Sequence, residues 1–169
     1  MSELFDVIII GGGPAGLTAG IYSARANLKT LIIDKSKTAG ALAHASLIEN
    51  YPGLEKPLSG MELLQRMHTQ TLSFGVQYRE EQVIGVNLIS ETKEIITIQS
   101  SYSGKAVIIA TGAMGRKPSI KGEGEFLGRG VSYCAVCDAP FFRGKKVAVL
   151  GDSEEAVKEA LYLTEFVDI

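Results

Sequence analysis

Val7-Ile8-Ile9-Ile10-Gly11-Gly12-Gly13-Pro14-Ala15-Gly16 decides the reading of this chain. Its β-branched run describes a short strand buried on both faces, which is the mark of a parallel sheet. The strand passes directly into Gly11-x-Gly13-x-x-Gly16 and then into a helix of small residues reaching Ala26. In that setting each glycine has a physical role. Gly11 permits the tight turn, Gly13 lets a pyrophosphate approach the backbone, and Gly16 lets helix and strand pack closely. The helix N-terminus faces the phosphate charge. Thr30–Asp34 is the second strand of a β-α-β unit, and Asp34 at its end is placed to take ribose hydroxyls. An acid there repels a 2′-phosphate, so the site suits FAD or NAD over NADP.

Outward from this unit, Ser59 is a plausible N-cap for a helix in which Met61, Leu64, Met67, Thr71 and Leu72 keep a helical period up to Gly75. Between Val76 and Ser103 the pattern turns β-like. Val83 to Ile89 and Glu94 to Gln99 flank a polar turn at Glu91-Thr92-Lys93, predicting a small antiparallel meander inserted in the larger fold. Ala106–Ala110 is another buried strand and ends at Thr111-Gly112. The Gly/Lys/Glu-rich stretch from Gly115 to Gly130, with Pro118, reads as a linker. This divides the chain into 1–115, an N-terminal part of a dinucleotide-binding domain, and 116–169, the start of a second domain.

Val147-Ala148-Val149-Leu150-Gly151 echoes the first strand and its glycine, and a helical pattern follows from about Glu154 to Phe166. One strand-turn-helix cannot bury its own strand, so the chain reads as a fragment of a longer protein. The second turn, Gly151-Asp152-Ser153-Glu154-Glu155-Ala156, differs from the first. Ser153 stands where a glycine would admit pyrophosphate, and three acids surround the phosphate position, whereas the first turn has none. The expectation is poor dinucleotide binding there; equally, acids at a helix N-terminus stabilise the helix through its dipole.

Cys134-Ala135-Val136-Cys137 holds the chain's only two cysteines and is followed at once by Asp138. Such a pair works as a reversible dithiol: one thiolate attacks a disulfide and its neighbour resolves the mixed disulfide. A helical turn starting at Cys134 would favour its thiolate, and Asp138 would supply a proton to the departing dithiol; its bland alternative is a solvated first-turn acid. Gly130–Tyr133 before the pair is strand-like. Zinc needs four ligands, and only His44 and His68 remain, without ligand spacing, so no metal is expected. Net charge −2, with 46% apolar and 21% charged residues, gives no electrostatic reason to expect nucleic acid or anionic lipid. No apolar run nears the roughly 18 residues that span a bilayer. Met1–Asp6 lacks the basic stretch of a secretory signal, so the expected address is cytoplasmic.

With those residues in place, the chain resembles the low-molecular-weight thioredoxin reductases over essentially its whole length. GGGPAGLTAGIYSARA at 11–26, ENYPG at 49–53, ATGA at 110–113 and GRGVSYCAVCDAPFFRGKKVAVLG at 128–151 carry the likeness. The resemblance implies an α/β fold: a Rossmann-like FAD-binding domain with an inserted β-meander, then a second Rossmann-like domain bearing the dithiol. It implies FAD held by Gly11, Gly13, Pro14, Ala15, Gly16, Asp34, Lys35, Gly40, Ala41, Leu42, Asn50, Ala110, Thr111 and Gly112, with Asn50 near the flavin ring. It makes Cys134, Cys137 and Asp138 catalytic, with Cys137 toward the flavin and Cys134 exchanging with thioredoxin. It also implies a homodimer in which one domain swivels on the other.

The departures are informative. Ala41 stands where the family usually has a flavin-contacting glutamine, and Ala139 where glycine is commoner. Ser153 and its acidic neighbours replace the glycine-rich turn of the members that use NADPH, a condition similar to the ferredoxin-dependent flavin-type branch. The leading expectation is therefore a FAD-dependent reductase of thioredoxin or a thioredoxin-like protein, with ferredoxin preferred to NADPH as donor. Its rivals are an NADPH-dependent thioredoxin reductase, a non-catalytic nucleotide-binding redox sensor, and a flavin oxidase with incidental cysteines.

Overall fold

The computed structural model describes residues 3–37, 40–112 and 119–168. The chain divides into two compact units, Met1–Lys117 and Pro118–Ile169. The expected boundary between residues 115 and 116 lies outside the described residues.

In the first unit, β1 (Leu4–Ile10) pairs in parallel with β2 (Thr30–Asp34) on one side and β6 (Ser101–Ile109) on the other. β3 (Gln77–Glu80), β4 (Val83–Asn87) and β5 (Lys93–Thr97) complete a six-stranded sheet in the order β3-β2-β1-β6-β5-β4. β4, β5 and β6 are antiparallel neighbours, so the expected meander is present and runs on from the parallel strands. The strand β3 falls within the β-like stretch read from Val76, but it stands apart from the meander and pairs in parallel with β2 at the sheet edge.

The β-branched run behaves as its composition dictates. Val7 and Ile9 face a cluster with Leu17, Ile32, Leu63, Leu64 and Met67, while Ile8 and Ile10 face another with Phe5, Leu31, Ile33 and Ile95. Ile8, Ile9, Leu31, Ile32 and Ile33 are fully buried. Each such side chain contributes roughly 1.5–3 kcal/mol on burial. The stability of the unit therefore resides in the middle of the sheet, which also holds the turn after β1 through Gly11 N–H to Ile33 O at 2.9 Å.

Two helices cover one face: α1 (Pro14–Arg25) and α2 (Gly60–Ser73). Ser59 caps α2 as expected, in a capping box with Glu62 whose backbone bonds measure 3.2 Å and 3.0 Å. The helices lock together through Thr71, whose buried hydroxyl donates to Leu17 O at 3.2 Å or Met67 O at 2.8 Å. Gly20 makes this approach possible, since a Cβ there would meet Ile32 Cδ1 at 2.9 Å.

The second unit is thinner. It comprises α3 (Glu123–Phe126), α4 (Ala135–Asp138) and α5 (Glu154–Leu163), joined by turns. Two expectations need correction here. Val147–Gly151 is not a strand: Val149 and Leu150 are exposed. A parallel strand exists only through ladder bonds to a neighbour, and among the described residues none offers one. Gly130–Tyr133 likewise forms only a single bridge, between Leu127 and Val131. The supposed linker also contains α3, and its first residues lie outside the described ones.

His68 of α2 packs edge-on against Tyr78 of β3, with ring centroids 4.6 Å apart. His68 Nε2 and Tyr78 OH are buried and without hydrogen-bond partners among the described residues. Burial first, and then the charge of Lys37, holds His68 below its ordinary value of 6.5, against an opposing pull from Glu80. The unfolded chain therefore takes up this proton at higher pH than the folded one. The histidine's contribution is whole above about pH 6.5 and is lost as pH falls through the folded value. Urea denaturation between about pH 7.5 and about pH 5 should show a loss of stability that His68→Leu reduces.

Candidate functional site

The glycine turn sits at the C-terminal end of the parallel strands, where such sheets bind ligands. Gly11 has φ +110°, and a Cβ on it would fall on the carbonyl of Ala110. A Cβ on Gly16 would fall on the carbonyl of Gly11 and lie 3.3 Å from Ile9 Cγ2, so this glycine seats α1 on β1. Gly13 is different: nothing lies within 4 Å of the position of its Cβ. It is the N-cap of α1, in extended conformation, with no side-chain cap and no acid in the first helical turn. The open space and the uncapped N–H groups form an anion cradle.

Gly12, absent from the sequence pattern, is needed too. A Cβ there would strike the Tyr78 hydroxyl, and its N–H donates to Asp34 Oδ2. Asp34 Oδ1 accepts from Ser36 N–H at 3.3 Å. Each carboxylate oxygen keeps a lone pair for a ribose hydroxyl. Burial, reinforced by Asp34 and Glu80, pushes the Tyr78 phenol well above its ordinary value, so it stays neutral beneath the turn. On the β6 side, Ala110 N–H donates to Ile10 O at 2.8 Å, and Thr111 and Gly112 follow at the surface. Gly40 (φ +105°) leads into a 3-10 turn at Ala41–His44, and Leu42 of that turn packs on the helix-side core. Lys35 and Asn50 are exposed in loops.

The second unit holds the sulfurs. Cys134 and Cys137 form a disulfide with Cα atoms 5.3 Å apart, inside the range such bridges adopt. Cys134 is the N-cap of α4 and Cys137 N–H donates to its Sγ at 3.2 Å. As α4 is a single turn, this one N–H, rather than a summed helix dipole, faces that sulfur. Cys134 is half-buried and Cys137 exposed. Asp138 is more than a solvated acid: its Oδ2 accepts from Ser132 Oγ at 2.6 Å, and Ser132 Oγ accepts from Cys134 N–H at 3.0 Å. One residue earlier in the turn, Tyr133 OH donates at 2.6 Å to Glu123, whose 3% exposed carboxylate also takes the N–H groups of Ser119 and Ile120. Neither Ser132 nor Glu123 is visible in a C-x-x-C pattern, because their roles arise from how the turn folds back.

The second glycine turn now has a direct counterpart. Ser153 is the N-cap of α5, extended like Gly13, but its Oγ accepts from Ala156 N–H at 3.3 Å. Gly151 packs against Ala156, whose Cβ lies 2.6 Å from where a glycine Cβ would be. Glu154 and Glu155 occupy the first turn of α5, and Glu154 pairs with Lys158 at 2.7 Å on the surface.

Residues 5–168 match the family model of the pyridine nucleotide-disulphide oxidoreductases. A thioredoxin reductase of Aquifex aeolicus is 51% identical over 165 residues, covering 97% of this chain and 51% of that protein. The crystal structure of thioredoxin reductase from Streptococcus pyogenes superposes with a TM-score of 0.92 at 42% identity, covering 99% of this chain and 54% of that one. A ferredoxin-flavin thioredoxin reductase from Clostridium acetobutylicum is 37% identical with a TM-score of 0.61, covering 99% and 58%. The chain belongs to the pyridine nucleotide-disulphide oxidoreductases, in their low-molecular-weight thioredoxin reductase family. It spans about half the length of the curated relatives it matches.

FAD is the cofactor of this family, and the open cradle at Gly13 with the carboxylate of Asp34 beside it fits a dinucleotide. The two glycines then separate fold from binding. Gly13→Val, at φ −76° and in open space, should leave the protein without FAD while changing the stability of the FAD-free protein by no more than about 1 kcal/mol. Gly16→Val should unfold it. Flavin absorbance and thermal melts of both variants check this.

Proposed function

We propose that the protein is a FAD-dependent disulfide reductase that delivers electrons through Cys134 and Cys137 to thioredoxin or a thioredoxin-like protein, with ferredoxin preferred to NADPH as donor. The observation that carries this reading is a formed Cys134–Cys137 disulfide whose neighbouring acid is tied into the same turn through Ser132. FAD, held at Gly11, Gly13, Gly16 and Asp34, supplies the electron pair when bound.

The electron pair breaks the Cys134–Cys137 bond and leaves two thiolates; the partner disulfide, in leaving as a dithiol, takes up two protons, one from Asp138 and one from solvent. Cys134, beside the N–H of Cys137, is the attacking thiolate. It forms a mixed disulfide with the partner; Cys137 then attacks Cys134, the partner leaves as a dithiol, and the internal bridge re-forms. Cys137 is the more exposed residue in the oxidised unit, so the assignment of roles to the two sulfurs is itself open to test. Cys137→Ser should trap the thioredoxin mixed disulfide on Cys134, read by non-reducing mass spectrometry. Trapping only in Cys134→Ser would reverse the roles, and full turnover with both cysteines replaced would end the proposal.

The donor preference is supported by the contrast between two helix starts of the same design. No side chain caps α1 at Gly13, whereas the Ser153 hydroxyl takes the Ala156 N–H and Glu154 and Glu155 follow it. The rival reading, NADPH as donor, keeps its weight because most relatives carry the plain name thioredoxin reductase. Anaerobic mixing separates these readings: reduced ferredoxin should bleach the flavin fast, and NADPH slowly. Ser153→Gly should cost only a few tenths of a kcal/mol in stability and increase the NADPH rate.

A further inference from the structure

We propose that Ser132 is a positioning residue for proton delivery, a hydroxyl rotor that holds the Asp138 carboxyl to the backbone of Cys134 in both of the acid's protonation states. The inference rests on the reading of Asp138 as the proton donor and goes beyond it. Ser132 Oγ has one proton and three neighbours within reach: Asp138 Oδ2 at 2.6 Å, Cys134 N–H at 3.0 Å and Cys134 O at 3.3 Å. With Asp138 ionised, the short charge-assisted bond takes that proton, and the hydroxyl oxygen accepts from Cys134 N–H.

A protonated Asp138 is a donor rather than an acceptor at that oxygen. The hydroxyl answers by rotation alone. It accepts from the Asp138 carboxyl, keeps the Cys134 N–H, and turns its own proton to the Cys134 carbonyl at 3.3 Å. Each state is then satisfied without moving a heavy atom. Asp138 can give up its proton to a departing sulfur and regain one while its carboxyl stays fixed. Half-burial of Ser132, Cys134 and Asp138 makes this useful, since bulk water is a poor substitute for a missing hydroxyl there.

The test uses the native holoprotein with thioredoxin as substrate. Ser132→Ala should lower kcat about tenfold with KM for thioredoxin and the flavin content unchanged, the size expected for one hydrogen bond to a charged group. Ser132→Thr, which retains the hydroxyl, should restore most of the rate. Adding Ser132→Ala to Asp138→Asn should cost nothing further, because the two act as a unit. Wild-type kcat in Ser132→Ala, with Asp138→Asn impaired, overturns the rotor and leaves the acid assignment standing. Full activity in Asp138→Asn overturns the acid assignment itself. A loss in Ser132→Ala that appears in KM, or that threonine does not rescue, assigns Ser132 to structure alone and also overturns the proposal.

Discussion

The structure depends on one constraint: α1 begins on a residue that caps nothing. With glycine as the N-cap, the missing side-chain cap costs roughly a few tenths of a kcal/mol. Here it is tolerated because Ile8, Ile9, Leu31, Ile32 and Ile33 are removed from water behind it, and because Gly16 seats the helix on β1. Gly11 N–H donates to Ile33 O at 2.9 Å and Gly12 N–H to Asp34 Oδ2, so the sheet holds the turn while α1 starts without a side-chain cap. The uncapped start of α1, the open space at Gly13 and the Asp34 carboxylate held by the Gly12 N–H together fit a dinucleotide.

The second unit makes the opposite choice at its equivalent position. Ser153 satisfies its own helix start, and acids fill the first turn of α5. At the start of α4, by contrast, two sulfurs, the Asp138 carboxylate and the Ser132 hydroxyl lie within seven residues of one another.

Much of this was legible in the residues. β1, β2 and α2 carry strong periodic signals, and the capping box at Ser59 and Glu62 announces its helix; the C-x-x-C spacing alone places two sulfurs within bridging reach. The β-like reading from Val76 covers β3, but its parallel pairing with β2 was not legible, because Gln77–Glu80 is an edge strand of mostly polar residues. Val147–Leu150 misled for the converse reason: its apolar run has strand propensity, but a strand is defined by partners the described residues do not supply. Ser132, Glu123 and Tyr78 stayed hidden because each acts across a fold-back that no local pattern encodes. The resemblance of GGGPAG and CAVCD to the thioredoxin reductases, in contrast, led directly to the family the chain belongs to.

The central claim is that a bound flavin and the Cys134–Cys137 disulfide form one electron-accepting system. Anaerobic reductive titration of the native flavoprotein tests this most directly. The account predicts one electron pair for the flavin and a second for the disulfide, with the second lost when both cysteines are replaced by serine. Identical uptake by the wild type and the double variant would contradict it.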